Sequence, residues 1–397
     1  MATLGQNVGS EQRPFSRAVT WVVRVGLALL IPLIAFFVLY QGFTFLRAGN
    51  AAKWVITVVA IAWGVGGIAI LYYIFNWLVE QLSVEWTARL QPFVFVGPAI
   101  AMMLWFLALP AVRTFYLSLF GRNGPPDAPL SMLFTAPGEY FKALATQFVG
   151  LQNYVDIFGN RLMLGAFRNN ILFWIGIATP LTVIFGLLVA VLADRSKFER
   201  SAKSLIFMPM AISFVGASVI WNFIYEVNPP DQPQIGLLNA IIVAFGGQPH
   251  GWTNYVAIAP WNNLFLVVIV LWLQAGYAMV LFSAAIKGIP EEIMEAARVD
   301  GATEIQIFFR IMVPYIMGTI ITVTTTIIIF TLKIFDVVWV MTGGQFGTDV
   351  IATQFYRQSF INRNSGYGSA LAVILLIAII PVMIYNLRQL REEEAFR

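Results

Sequence analysis

Residues 287–315 read KGIPEEIMEAARVDGATEIQIFFRIMVPY, a polar interruption between two long apolar runs. Pro290 suits the first turn of a helix, where its missing N–H has no partner to lose. Glu291 and Glu292 share that turn and favour the helix dipole. Ile293, Ala296 and Ala297 share one face, and Glu291, Glu295 and Arg298 share another. Gly301 supplies a left-handed cap. Thr303 followed by Gln306 fits a capping box that opens a second short helix, and Pro314 marks the start of the next apolar run. The pattern predicts a helix–turn–helix tied to two membrane spans. From the pattern alone, an amphipathic connector lying on the membrane surface is an equal reading.

The runs on either side decide the fold class. The chain has 397 residues, of which 59% are hydrophobic and 11% charged, against about 25% charged in soluble domains. A span needs roughly 20 apolar residues. Eight runs qualify: Trp21–Phe45, Trp54–Leu78, Pro92–Val112, Asn170–Ala193, Leu205–Tyr225, Leu264–Ile286, Tyr315–Met341 and Ser369–Leu387. The expectation is an all-α polytopic membrane protein with a retained first span. Residues 1–112 form a tail and three spans, 113–169 an extracytoplasmic loop broken by Gly121, Gly124, Pro125, Pro126 and Pro137, and 170–397 a core of five spans with the polar segment 288–314 inside it.

Charge placement orients the spans. Arg195, Lys197, Arg200 and Lys203 follow the fourth span, Lys287, Arg298 and Arg310 follow the sixth, and Arg388, Arg391 and Arg397 follow the last. Residues 226–261 contain no Lys or Arg. The basic loops belong in the cytoplasm, so both termini are expected inside, with Arg47 and Lys53 outside and Arg89 alone marking the next inner loop.

Several function classes drop out. The net charge of +4 comes with no basic run that could track nucleic-acid phosphates. Cysteine is absent, and the single histidine, His250, argues against a His-based metal site or catalytic triad; no metal or other cofactor is expected. No G-x-x-x-x-G-K-[ST] loop is present, and no Lys follows a Gly.

Glu295-Ala296-Ala297, Gly301, Ile311 and Pro314 match the EAA loop of bacterial ABC-importer permeases, EAA–x3–G–x9–I–x–L–P, with Val313 in the Leu position. From Gly150 onward the chain resembles the maltose-type sugar-importer permeases with eight spans. Gly150-Leu151-Gln152-Asn153-Tyr154, Phe335-Asp336 with Thr342-Gly343-Gly344, and Gly366-Tyr367-Gly368-Ser369-Ala370 are similar to short family motifs. The run FMPMAISFVGASVIW, Phe207–Trp221, resembles the alpha-glucoside and glucosylglycerol branch. The resemblance implies an ABC type I importer permease fold in a bacterial or archaeal cytoplasmic membrane. It implies that Glu295, Ala296, Ala297 and Gly301 belong to a coupling helix seated on a separate dimeric ATPase. The implied partners are a second permease and an extracytoplasmic sugar-binding protein.

Sugars are held by aromatic faces and by groups that both donate and accept. The sixth span offers Trp272, Gln274 and Tyr277, and the seventh offers Thr324, Thr325, Thr326, Phe330 and Thr331. A mid-span Gln is costly in lipid and should face a cavity or another helix. The resemblance carries the relative's ligand-contacting Trp and Tyr onto Trp272 and Tyr277, and an aromatic contact onto Phe330. Its polar contacts fall on Gln274, Ile327, Thr331 and Ile334, which differ from the relative. The competing reading is helix packing, with the Thr hydroxyls bonded to their own backbone. Lys333 and Asp336, three apart, can pair on one helix face, and the preferred reading is a structural pair or Lys333 snorkelling outward. Their other reading, an ion path in an ion-coupled secondary carrier, would call for further intramembrane carboxylates, internal repeats and no docking helix.

Overall fold

The computed structural model describes residues 40–395 apart from 82–83, 127–131, 230 and 255–257, together with Ile34, Phe37 and Val38. Among these residues the regular structure is helical, with one antiparallel bridge between Phe120 and Phe148. Four helices are long and apolar enough to cross a membrane: Lys53–Glu80, Arg161–Asp194, Asn263–Lys287 and Ser365–Gln389. Two bent pairs bring the count to six. Of the expected first span, most lies outside the described residues; 40–48 is helical. The third expected span falls on the consecutive helical segments Val84–Met103, Leu104–Ala108 and Leu109–Ser118.

The chain divides into two compact units, Met1–Pro110 and Ala111–Arg397. In the first, Lys53–Glu80 packs on Val84–Met103. Polar contacts join the two helices: the Tyr72 hydroxyl donates to the Phe95 carbonyl at 2.7 Å, and Gln91 donates to Asn76 at 3.2 Å.

The second unit is organised around Asn263–Lys287, whose Leu266, Val270, Leu273, Met279 and Phe282 are buried. Two glycines let its neighbours approach. A Cβ on Gly186 would lie 2.5 Å from that of Ala278, and one on Gly276 would lie 2.7 Å from the Ile206 carbonyl oxygen. Small residues at crossings drive helix association in lipid, where apolar burial gives no preference between neighbours. The fourth span starts earlier than the apolar run suggests, at Arg161, with Asn160 capping Leu162 N–H at 2.9 Å. Its first apolar turns, Asn170–Ala178, are wound as a π-helix.

The fifth and seventh spans are bent. Glu199–Ala211 meets Phe214–Tyr225 at 102°; Pro209 tightens the last turn, and Ser213 caps the new helix through a bond from Gly216 N–H at 3.0 Å. Glu304–Tyr315 meets Met317–Leu332 at 71°, just after Pro314. The seventh span was expected to run to Met341. It stops at Leu332, and a separate helix, Asp336–Thr342, packs against Phe214–Tyr225. Asn170, 1% exposed, explains the stop: its Nδ2 donates to the Leu332 carbonyl at 3.2 Å, and its Oδ1 accepts from Ile351 N–H at 2.9 Å. Lys333 and Asp336 therefore do not share a helix face. Both are exposed, and no ion pair joins them.

The short family motifs acquire physical roles at the other end of the bundle from 288–314. Asn153 Nδ2 donates to the Ser118 and Phe120 carbonyls at 2.8 and 2.7 Å. Gly366 sits where any Cβ would fall on the Phe120 carbonyl.

Candidate functional site

The segment 288–314 is a helix–turn–helix. Its first helix is Glu291–Val299, with Pro290 at the N-cap. At its end Gly301 takes φ +79°, Ala302 N–H donates to Ala297 O at 3.0 Å, and Gly301 N–H donates to Arg298 O at 3.1 Å. These bonds satisfy last-turn carbonyls that a helix leaves open. Thr303 and Gln306 then form a reciprocal capping box, with Thr303 N–H donating to Gln306 Oε1 at 2.8 Å. The Gly301 turn and the Thr303–Gln306 capping box thus set the angle between the two short helices.

Burial divides the first helix. Ala297 and Met294 turn inward, Met294 onto a core containing Ile289, Met312 and Ile316. Glu295 and Ala296 are exposed. Around them Val299 is 87% exposed, Ile305 72% and Phe309 64%. Exposed apolar side chains on a polar segment are a feature of surfaces that meet another protein or the membrane.

Ion pairs tie this segment to the loop after the fourth span. Arg195 donates to Glu304 at 2.5 Å and Arg298 to the same carboxylate at 3.1 Å. The hydrogen bond from Arg298, then that from Arg195, holds the Glu304 carboxyl below its ordinary range; the residue lies ahead of the apolar part of the seventh span. Behind it, Lys203 lies 2.5 Å from Asp194 and 2.6 Å from Glu199, and Glu199 also pairs with Lys287. Ser283 donates to Asp194 at 2.8 Å, which brings the sixth span into the network. These pairs were not anticipated as contacts, although the charge cluster 195–203 was visible in the sequence.

The expected sugar-facing residues separate into groups. Trp272 meets Trp221 edge-on, with ring centroids 5.9 Å apart, and Phe330 stacks on Phe214 at 4.9 Å. Both partners project from Phe214–Tyr225, so three spans build one aromatic wall. Gln274 and Tyr277, three apart on the sixth span, are neighbours on another side; five residues separate Trp272 from Tyr277, about 140° around a helix. Gln274 is half-buried and makes no hydrogen bond among the described residues. Thr331 is fully buried, donates to Ile328 O at 3.2 Å and lies 3.4 Å from the Thr179 hydroxyl. Thr324, Thr325 and Thr326 likewise bond carbonyls of their own helix. Phe214 and Trp221 were visible earlier only within a family-like run; their aromatic character seven residues apart was the available signal.

Residues 170–391, more than half the chain, match the family model described as binding-protein-dependent transport system inner membrane component. The chain is 46% identical over 304 residues to the osmoprotective compounds uptake permease protein GgtC of Synechocystis sp., covering 77% of this chain and 100% of the relative. It is 44% identical over 305 residues to the alpha-glucoside transport system permease protein AglF of Rhizobium meliloti, covering 77% and 83%. A solved structure of a bacterial ABC transporter involved in import of the acidic polysaccharide alginate aligns with TM-score 0.60 at 20% identity, covering 76% of this chain and 95% of that one, which supports the fold. The chain is a transport component, and it belongs to the family of inner-membrane permease components of binding-protein-dependent ABC transport systems.

Proposed function

We propose that this chain forms half of the translocation pore of an ATP-driven importer for a sugar, an oligosaccharide or an alpha-glucoside. The observation that carries the reading is the segment 288–314: a rigidly capped helix that exposes Glu295, Ala296 and Val299 while anchoring Ala297 inward. Such a helix transmits force between a partner and the two spans it joins. The partner is a dimeric ATPase subunit, and the segment couples ATPase closure to alternating access of the pore. A second, homologous permease completes the pore, and an extracytoplasmic binding protein delivers the sugar. The uptake of osmoprotective compounds and of alpha-glucosides named for the two relatives supports the substrate class.

The proposed pathway lining combines Trp272 and Phe330, in the aromatic wall, with Gln274 and Tyr277 on another side of the sixth span. Gln274 supports it, since an amide without an internal partner needs a polar cavity rather than lipid. Thr331 stands behind the wall and shapes it through Thr179. Loop charges support a cytoplasmic location for 288–314 and for both termini.

Reconstitution with candidate partner subunits tests the proposal through sugar-stimulated ATP hydrolysis and uptake. Uptake that continues without the ATPase, driven by an ion gradient, refutes it. Joint replacement of Glu295 and Gly301 is expected to abolish ATPase association while membrane insertion stays intact.

A further inference from the structure

At the end of the sixth span opposite the EAA segment lies a cavity of about 490 Å³, within the range of small-ligand sites. Its lining includes Asn222, Tyr225, Glu226, Thr253, Asn254 and Phe346. The walls are pinned. The Tyr225 hydroxyl donates to the Phe265 carbonyl at 3.0 Å, and its ring packs 5.1 Å from that of Trp221. The Glu226 carbonyl accepts from Asn239 Nδ2 at 2.9 Å. Asn262 Nδ2 donates to both the Thr253 and Phe346 carbonyls at 2.8 Å, so one buried amide joins two sides of the cavity. Phe346 is held at φ +57°, a strained setting for a non-glycine residue, as found where a loop is fixed for binding.

The functional groups inside this frame are unspent. Among the described residues, the side chains of Asn222, Glu226 and Asn254 make no hydrogen bond or ion pair. Two amides supply donors and acceptors, a carboxylate supplies strong acceptors, and aromatic rings supply flat apolar surface. A vicinal diol on a sugar ring presents both donors and acceptors to such a set. Among the described residues no Lys, Arg or His lines the cavity, and residues 226–261 contain no Lys or Arg in the sequence. An uncompensated carboxylate in a partly enclosed site favours hydroxyl donors and repels anions.

We infer that this cavity is a saccharide subsite selective for neutral over acidic sugars, with Glu226 as the selecting group. The ligand class rests on the proposed sugar-import function. Glu226 serves as a hydrogen-bond acceptor for ring hydroxyls and as an electrostatic filter, and Asn222 and Asn254 orient the ring over Tyr225 and Phe346. On the proposed orientation the subsite stands at the outer mouth, ahead of the mid-span wall.

The test is equilibrium dialysis of the full chain in lipid nanodiscs, without the ATPase, using maltose as neutral probe and maltobionate as its anionic counterpart. Maltose is expected to bind at least about tenfold more tightly than maltobionate, because the anion meets an unpaired carboxylate. Glu226→Gln should weaken maltose by about tenfold, the scale of a lost charged hydrogen bond, and remove the discrimination. Glu226→Lys should reverse it. Asn254→Ala should weaken both probes and leave their ratio unchanged. Tyr277→Ala, in the mid-span lining, should preserve the Glu226-dependent ratio. Equal binding of both probes by the unsubstituted chain, or maltose binding and selectivity indifferent to Glu226→Gln, overturns the subsite. Because dialysis needs no ATP, failure of ATP-driven uptake with this pattern intact would remove the transport reading and leave the site.

Discussion

Gly301 is the position where the EAA turn is most open to a quantitative test. Its φ is +79°, and a Cβ built there meets nothing within 4 Å. Space does not restrict the residue; backbone conformation does. A left-handed setting costs an L-residue roughly 1–2 kcal/mol. Alanine recovers part of that through its stiffer unfolded chain, leaving a net loss of about 1 kcal/mol. Valine adds a β-branch that the left-handed region disfavours further, whereas asparagine tolerates it. A loss of about 1 kcal/mol lowers the ratio of intact to open turn roughly fivefold, and apparent affinity for the docking partner falls by at most that factor, reached when the free segment is mostly open. Titrating the ATPase subunit against the permease in nanodiscs should therefore rank Gly, Asn, Ala and Val in falling affinity, with Ala weaker by up to about fivefold and Val by more than Ala. Unchanged size-exclusion profiles would confirm intact insertion. The reasoning fails if valine binds within twofold of glycine, or if asparagine is as harmful as valine.

Gly276→Ala should lower thermal stability by roughly 1–3 kcal/mol, because its Cβ would lie 2.7 Å from backbone atoms of Ile206 and Phe207 that cannot rotate away; an unchanged melting midpoint in detergent would count against that crossing. Asn170→Ala leaves Ile351 N–H without its partner and uncaps the end of the seventh span. A loss of roughly 1–3 kcal/mol is expected, read by chemical unfolding, and a change under about 0.5 kcal/mol would show that water replaces the amide. Glu304→Gln should affect ATPase affinity less than Gly301→Ala, since its ion pairs are half-exposed. The Glu304 carboxyl titrates below its ordinary 4.5, so its contribution is present above that value and fades only as pH falls through the lowered one. Docking should then be flat between about pH 6 and pH 8 yet weaken with salt; a step in that pH window would contradict the assignment.

Much of the architecture followed from hydropathy alone. The sixth span, expected over Leu264–Ile286, is the helix Asn263–Lys287. Apolar run length works there because the helix satisfies its own backbone. The seventh span shows where this stops. Nothing between Lys333 and Asp336 is a Gly or Pro, so the sequence carries no local break signal. The break is supported from Asn170, 162 residues before Leu332, whose amide takes a carbonyl that a continuing helix would have used. A partner that distant is invisible to periodicity, and the expected Lys333–Asp336 pair failed for the same reason. The 102° bend in the fifth span was partly legible: Pro209 announced a disturbance, but not that Ser213 would start a helix in a new direction.

The two functional regions differ in the same physical way. In 288–314 each feature that sets the geometry is made within a few residues: Gly301 closes the turn onto Ala297 and Arg298, and Thr303 answers Gln306. A spacing pattern can encode such a device completely, which is why a short motif sufficed to locate it. The aromatic wall needs Phe214 and Trp221 from one span, Trp272 from the next and Phe330 from a third. Its partners are brought together by the bend after Pro209 and by the glycine crossing at Gly276, whereas helical periodicity alone puts Trp272 and Tyr277 on different sides. Gly276 therefore sets the position of the span that carries Trp272 as well as its stability. A methyl group there would shift the sixth span against Ile206 and Phe207 and so move Trp272 relative to Trp221, which predicts altered sugar selectivity in a variant that still couples ATP hydrolysis through an intact EAA turn.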